Sequence, residues 1–344
     1  MRVGLDLQLA RGTATGIGEY ASGLYAALRA QNVDVVALRS EHFDPWRFDR
    51  RVVWDQVLLP IAAHRARVDL VHCASGTLPL VAPAPLIATV HDVAWLRVQG
   101  HARFYARAYF GPFSLARYRS ARRILVDSAF SRAELLAVAP RLDPERIEVV
   151  YPGVASDIMS VERARDDSAP FALAVGTVEP RKNLDTLVRA VSAIPQLRLI
   201  SVGPFTPYAD VCMRLARELG VTERVELRGY VPRAELLDLY ARATLAAVPS
   251  RYEGFGYAAA QALCAGVPLV CSNASSLPEI AGDAAPLLDP NEVRDWTAIL
   301  RLLLETRDER EAQARAQRPA SIARFAWSQS ARTVAQAYAA ALSP

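Results

Sequence analysis

The chain has 344 residues, 52% apolar and 22% charged, with a formal net charge of +4. That length exceeds what one hydrophobic core ordinarily supports, so two domains of ordinary globular composition are expected. No run reaches eighteen uncharged apolar residues and Asp6 interrupts the N-terminus, so neither a membrane-spanning helix nor an export signal is expected. In chain order, residues 3–9 read as a strand, 18–29 as a helix, 33–38 as a strand, 54–65 as a helix and 69–73 as a strand. Residues 86–90 form a strand ending at His91-Asp92. Residues 103–121 are helical, 124–127 a strand, 131–138 a helix, and 147–150 a strand closed by Tyr151-Pro152-Gly153. This alternation predicts a parallel sheet covered on both faces.

Residues 155–170 are polar and charged and read as a linker. The alternation then restarts. Strands are predicted at 171–175, 197–202, 225–227, 245–248 and 269–271. Helices are predicted at 183–194, with Asn183 as its cap, and at 208–220, 233–241, 256–265, 292–305, 308–324 and 328–342. Two α/β halves follow one another. Ligands of open α/β sheets bind at the carboxyl ends of strands, so two such domains facing each other would form a cleft between those ends.

The four cysteines, Cys73, Cys212, Cys264 and Cys271, form no CxxC pair and have no zinc-ligand spacing. They are expected as buried thiols in a reducing, cytoplasmic compartment. The one-sided basic stretch carries Arg97, Arg103, Arg107, Arg117, Arg119, Arg122 and Arg123. Phe104, Tyr105, Tyr109, Phe110, Phe113 and Tyr118 are interleaved with them. It reads either as a solvated helix face with a core-facing aromatic side, or as a surface that meets anionic lipid headgroups. Lys182 is the only lysine; every other Lys/Arg position is arginine. A compact ammonium kept where all else is a planar guanidinium suggests a narrow phosphate pocket.

Four strings could carry chemistry. Gly16-Ile17-Gly18-Glu19-Tyr20-Ala21 opens a helix and fits both an anion site and the dinucleotide pattern GxGxxA. The preceding loop is longer than that fingerprint's turn, and the acid expected after the second strand is not cleanly placed. His91-Asp92 sits at a strand end, where a histidine can contact a ligand or serve structure alone. Gly176-Thr177-Val178-Glu179-Pro180-Arg181-Lys182-Asn183 joins a strand to a helix start, and Arg181 and Lys182 could balance a diphosphate there. Most specific is Pro249-Ser250-Arg251-Tyr252-Glu253-Gly254-Phe255-Gly256-Tyr257. Its glycines allow close backbone approach, and the helix that follows aims its positive end at the same spot. Gln261 lies eight residues after Glu253. Were that whole span helical, the two would be separated by about 12 Å, the scale from a transferred sugar to the ribose of its nucleotide.

Together these strings resemble glycosyltransferase family 4, the retaining enzymes of the GT-B fold, over nearly the whole chain. Further markers are Val126-Asp127-Ser128 with Ser131, Tyr151 to Val154, Gly229-Tyr230-Val231, Leu277 to Gly282, and Phe325-Ala326-Trp327-Ser328. The chain is most similar to the mannosyltransferase B-like branch. The resemblance implies two Rossmann-like domains: 1–154 for the acceptor, completed by a C-terminal helix (328–344) that crosses back, and 171–327 for the donor. It implies that His91 contacts the donor sugar and that Lys182, helped by Arg181, stabilises the departing diphosphate. Glu253 would bind sugar hydroxyls. Gly176, Thr177, Ser250 and the backbone of Gly254, Phe255, Gly256 and Tyr257 would hold the donor, with the base near Tyr230 and Val231. Gly16 and Gly18 would face phosphates and acceptor. The family pairs two glutamates eight apart, and here the second is Gln261. Thr177 also stands where many members carry arginine.

The implied reaction moves a sugar, mannose from GDP-mannose by branch, to a saccharide acceptor, lipid-linked if the basic stretch meets the inner membrane face. The pathway implied is cell-surface polysaccharide synthesis. No Asp-x-Asp pair is present, so no metal or other cofactor is expected, and no nucleic acid. A non-catalytic sugar-nucleotide binder and a nicotinamide oxidoreductase are the competing readings.

Overall fold

The computed structural model describes all residues except 11–15, 42, 45–46, 99–103, 166–169 and 344. The chain divides into two compact units, Met1–Gly153 with Ala326–Pro344, and Val154–Phe325.

The first unit is built on six parallel strands, β1 (Arg2–Asp6), β2 (Asp34–Leu38), β3 (Leu70–Cys73), β4 (Leu86–Val90), β5 (Ala121–Val126) and β6 (Ile147–Val149), in the order β2-β1-β3-β4-β5-β6. Strands β3 and β4 are buried along their whole length, as continuous apolar runs in a doubly covered parallel sheet should be. The helix Gly16–Ala30 begins at Gly16, so Gly16 and Gly18 lie in its first turn rather than in a loop before it. The C-terminal helix Trp327–Leu342 packs on it, as the resemblance implied. Gly23 and Gly153 make this possible. A Cβ on either would stand 2.2–2.3 Å from the Trp327 ring, so only glycine leaves space for the indole.

Two helical regions depart from the expected pattern. The helix expected over 54–65 starts at Phe48 and passes through a π-helical turn at Trp54–Leu58. The helix expected over 103–121 runs from Phe104 to Tyr118 with a second π turn at Tyr109–Phe113, which holds Pro112. The two π turns meet where Tyr109 donates to Asp55 (3.0 Å) and Gln56 donates to Tyr109 (2.9 Å). Wider turns at such joints re-aim side chains that a regular helix would turn away.

The second unit repeats the plan with β7 (Phe171–Val175), β8 (Arg198–Val202), β9 (Val225–Leu227), β10 (Leu245–Val248), β11 (Leu269–Ser272) and β12 (Leu287–Leu288). All are parallel, in the order β12-β11-β10-β7-β8-β9. Its core joins Leu187, Val191, Leu199, Leu245, Trp296 and Leu300 across sheet and helices. The described part of 155–170 is tied into this unit. Ser156–Met159 is a helix turn, and the Arg163 guanidinium donates to the Ala241 carbonyl at 2.8 Å, satisfying the end of a neighbouring helix. Polar composition alone did not reveal those contacts.

Candidate active site

In the second sheet the chain leaves β7 in one direction, through β8 to β9, and returns on the other side as β10. The loops after β7 and β10 therefore diverge from neighbouring strand ends, which is where open α/β sheets take their ligands. The first loop carries Gly176 to Lys182 and the second Ser250 to Gly256. Gly176 has φ +138° and Gly203, after β8, φ +147°. A Cβ on Gly203 would lie 2.1 Å from the Gly176 carbonyl oxygen, so these backbones can touch only because Gly203 lacks a side chain.

Lys182 Nζ donates to Glu253 Oε1 at 2.6 Å, and the Ser250 hydroxyl donates to the same oxygen at 2.7 Å. Arg181 Nη1 lies 3.4 Å from Glu253 Oε2, while its Nε faces Glu179 at 2.7 Å. The backbone of Glu253 is held at both ends: its N–H donates to Ser275 Oγ and its carbonyl accepts from Ser276 Oγ. Burial pushes the Glu253 carboxyl up. The adjacent Lys182 and Arg181, with hydrogen bonds from Lys182 and Ser250, outweigh it and hold the carboxyl below its usual range. Its ionised form therefore stabilises the fold above the ordinary carboxyl pKa, and that contribution is lost as pH falls through the lowered value.

Asn183 takes the N-cap position of the next helix, as expected, but its side chain accepts no hydrogen bond from the helix N–H groups. It adopts φ 58°, and its Nδ2 donates to the carbonyls of Pro249 (2.9 Å) and Pro290 (2.6 Å). The amide is spent on bracing the two loops, and asparagine tolerates the left-handed backbone this needs. The Glu253–Gln261 span is helical only from Tyr257, so the 12 Å helical estimate does not apply. Gln261 is buried, and its carbonyl oxygen accepts from Tyr240 at 3.0 Å. Tyr230, on the loop after β9, is half exposed, and Val231 beside it is buried. Phe205, unremarked in the sequence, is also half exposed and lies against Gly229, next to Tyr230.

His91 follows β4 in the first unit. Its Nδ1 lies 2.6 Å from Asp127 Oδ2 and its Nε2 2.9 Å from the Ala74 carbonyl. Ser131 Oγ donates to the His91 carbonyl, and Ser128 caps the helix that carries Ser131. That accounts for the Val126-Asp127-Ser128 string. Burial opposes a charge on His91, but Asp127, the Ala74 carbonyl and Asp92 raise its pKa above the ordinary value. His72, fully buried between Tyr338 and Thr89, is the opposite case, pushed down to about 3 by burial and by the nearby His91.

The family model "Glycosyltransferase Family 4" matches residues 14–157 and "Glycosyl transferases group 1" matches residues 156–319. The MMP alpha-(1->4)-mannosyltransferase of Mycolicibacterium hassiacum is 30% identical over 296 residues, covering 80% of this chain and 71% of that protein. The chain belongs to glycosyltransferase family 4. The O-antigen chain mannosyltransferase B of Escherichia coli is 36% identical over 225 residues, 60% of this chain. The match spans only 58% of that relative's length. Among solved structures, the family-4 chain shares its fold with the sucrose-phosphate synthase of Thermosynechococcus elongatus (TM-score 0.80, 19% identity, 98% of both chains). It shares it also with HepE of Anabaena in complex with UDP-glucose (TM-score 0.73, 17% identity, 98% and 99% of the two chains).

Of the residues singled out from sequence, Gly176, Thr177, Arg181, Lys182, Ser250 and Glu253 converge at one switch point, with Gly254, Phe255, Gly256 and Tyr257 continuing the same loop. His91, Gly16 and Gly18 lie in the other unit. Sequence reasoning missed Asn183's bracing role, Ser275, Ser276, Gly203 and Phe205. Only Gly203 had a visible signal, a glycine directly after a strand.

Proposed function

We propose that this family-4 chain transfers a sugar from a nucleotide diphosphate to an acceptor hydroxyl, with retention and without a metal ion. The reading rests on the meeting of Lys182, Arg181 and Glu253 at the switch point of the second sheet. As the glycosidic bond breaks, negative charge gathers on the diphosphate and the sugar gains oxocarbenium character. Lys182 and Arg181 stabilise that leaving group, and the loop Gly254 to Tyr257 presents backbone to it. Glu253, kept ionised, accepts hydrogen bonds from sugar hydroxyls, which leaves it unsuited to act as a covalent nucleophile. We assign His91 to the donor, Gly16 and Gly18 to phosphates and acceptor, and Tyr230, Val231 and Phe205 to the base.

The names of the mannosyltransferase relatives support mannose as the sugar moved, GDP-mannose is the donor the branch resemblance implies, and a UDP-sugar comes second. A saccharide, carried on lipid at the inner membrane face of the cytoplasm, is the acceptor this reading favours. Arg97 pairs with Glu134, Arg117 binds the Pro79 and Leu80 carbonyls, and Tyr109 and Tyr118 are buried. Arg103 lies outside the described residues. The membrane-facing part of the stretch is thereby reduced to Phe104, Tyr105, Arg107, Arg119 and Arg122, all exposed. Among the described residues no helix is long and apolar enough to cross a membrane.

A second reading, donor binding without transfer, is favoured by Gln261, whose carbonyl oxygen is engaged by Tyr240. One experiment separates these readings: thermal shifts with GDP, UDP, ADP, dTDP and NAD, then transfer assays with the matching sugar nucleotides with and without EDTA. Saturating ligand that binds only the folded state adds about 2.7 kcal/mol at a hundredfold excess over Kd, a shift of several degrees. A shift with one nucleoside diphosphate and full transfer in EDTA are expected. Activity lost in EDTA and restored by manganese, or a shift with NAD alone, would overturn the proposal. Donor binding with neither transfer nor hydrolysis would select the second reading.

A further inference from the structure

The His91 ring has an acceptor on each nitrogen: Asp127 Oδ2 at 2.6 Å from Nδ1, and the Ala74 carbonyl oxygen at 2.9 Å from Nε2. A carboxylate and a carbonyl can only accept, so each hydrogen bond needs a proton on the ring. A neutral imidazole has one such proton and would turn a lone pair toward one of the two oxygens. We propose that Asp127 is a positioning residue that keeps His91 doubly protonated. The ring then serves the reaction as a fixed cation that attracts an anionic oxygen of a bound substrate by charge, because both of its N–H groups are spent on Asp127 and Ala74 and neither is left to donate to a neutral sugar hydroxyl. This refines the transferase reading and rests on it for its activity arm.

The surroundings agree. Asp127 is 4% exposed and His91 17%, so the imidazole is the more accessible member of the pair. The groups facing the ring are few. Asp127 comes from the end of β5, Asp92 is the next residue, and His72 on β3 is neutral by burial. Tyr20, from the first helix, meets the ring edge-on at 4.8 Å, and burial keeps its phenol protonated. None of these supplies a competing positive charge. The sign follows: the protonated ring stabilises the fold below the ordinary imidazole pKa, and that contribution is lost as pH rises through the raised value.

Asp127→Asn tests this cleanly. The asparagine amide can donate to Nδ1 while Nε2–H still reaches Ala74, so the hydrogen bonds survive with a neutral ring. The readouts are the ¹⁵N chemical shifts of His91, which separate doubly protonated from neutral imidazole, and kcat against pH. In the wild type at pH 7.5, two protonated ring nitrogens are expected. In Asp127→Asn a neutral tautomer is expected, with kcat down about tenfold at pH 7.5, because an imidazole of ordinary pKa, about 6.5, is only about one-tenth protonated there. Acidifying the variant toward pH 6 should restore part of the loss, which a merely structural defect would not do. A neutral His91 ring in the wild type at pH 7.5 overturns the proposal, whether or not the variant folds. So does a variant with wild-type kcat and an unchanged pH profile. The wild-type spectrum needs no substrate, so if no acceptor is ever glycosylated the transferase reading fails while the charge state is still decided.

Discussion

Lys182→Arg keeps the positive charge and asks whether this site requires an ammonium. Lys182 Nζ sits 2.6 Å from a carboxylate oxygen that Ser250 also donates to, so the head group has one defined place. Its stem runs past Gly176, where a Cβ would come within 3.5 Å of Cε. The adjoining cavity measures about 20 Å³ and is walled by Gly176, Thr177 and Ser250. That is roughly room for one water. A guanidinium adds two heavy atoms and a rigid plane, and this space does not take them without moving the two loops. Overpacking on that scale costs about 1–3 kcal/mol, which for a unit of this size lowers Tm by roughly 2–12 °C. Displacing the charge from its place forfeits a charge-assisted hydrogen bond to the leaving group, about 1.5–3 kcal/mol, or roughly 10–150-fold in kcat/KM. The assay is initial-rate sugar transfer with melting curves on the same preparation. Lys182→Met, which fits but lacks the charge, is the comparator and should lose at least as much activity. Transfer by Lys182→Arg within twofold of the wild type would refute the size argument and leave the lone lysine without significance.

Two further outcomes are expected. Gly153→Ala places a methyl 2.3 Å from the Trp327 ring and 2.7 Å from its Cα, where no rotamer change can clear it. A loss of about 3 kcal/mol is expected in denaturant melts, partly recovered in the double variant with Trp327→Leu; strict additivity of the two changes would deny the contact. Phe104→Ser with Arg107→Glu alters two exposed residues of the basic stretch. Sedimentation with anionic vesicles at low salt should fall several-fold, and wild-type binding by the double variant would remove this surface from the membrane proposal.

The loops that matter were legible in the sequence because their chemistry is local. Gly176 and Gly256 mark places where the backbone takes a conformation that side chains disfavour, Pro249 directly follows β10, Pro180 opens the turn before its helix, and a helix start follows each loop. Strand periodicity located β4, β7, β9 and β10 at their observed bounds for the same reason: a buried parallel strand is a short apolar run between turn residues. The Trp327 string, too, was visible, and the helix after it packs where the resemblance implied.

What tertiary structure decided is partnership. Lys182 and Glu253 are 71 residues apart and meet only because β10 returns beside β7, a matter of strand order that no local pattern encodes. The Asp127 carboxylate reaches His91 across 36 residues for a like reason, β5 lying next to β4. Asn183 holds the cap position read from its neighbours in sequence, but its side-chain amide is drawn to two distant proline carbonyls, of which that of Pro290 also accepts from Thr186. Local residue types thus set which groups each strand end offers, and the order of strands in the two sheets set which of those groups share a proton or a charge.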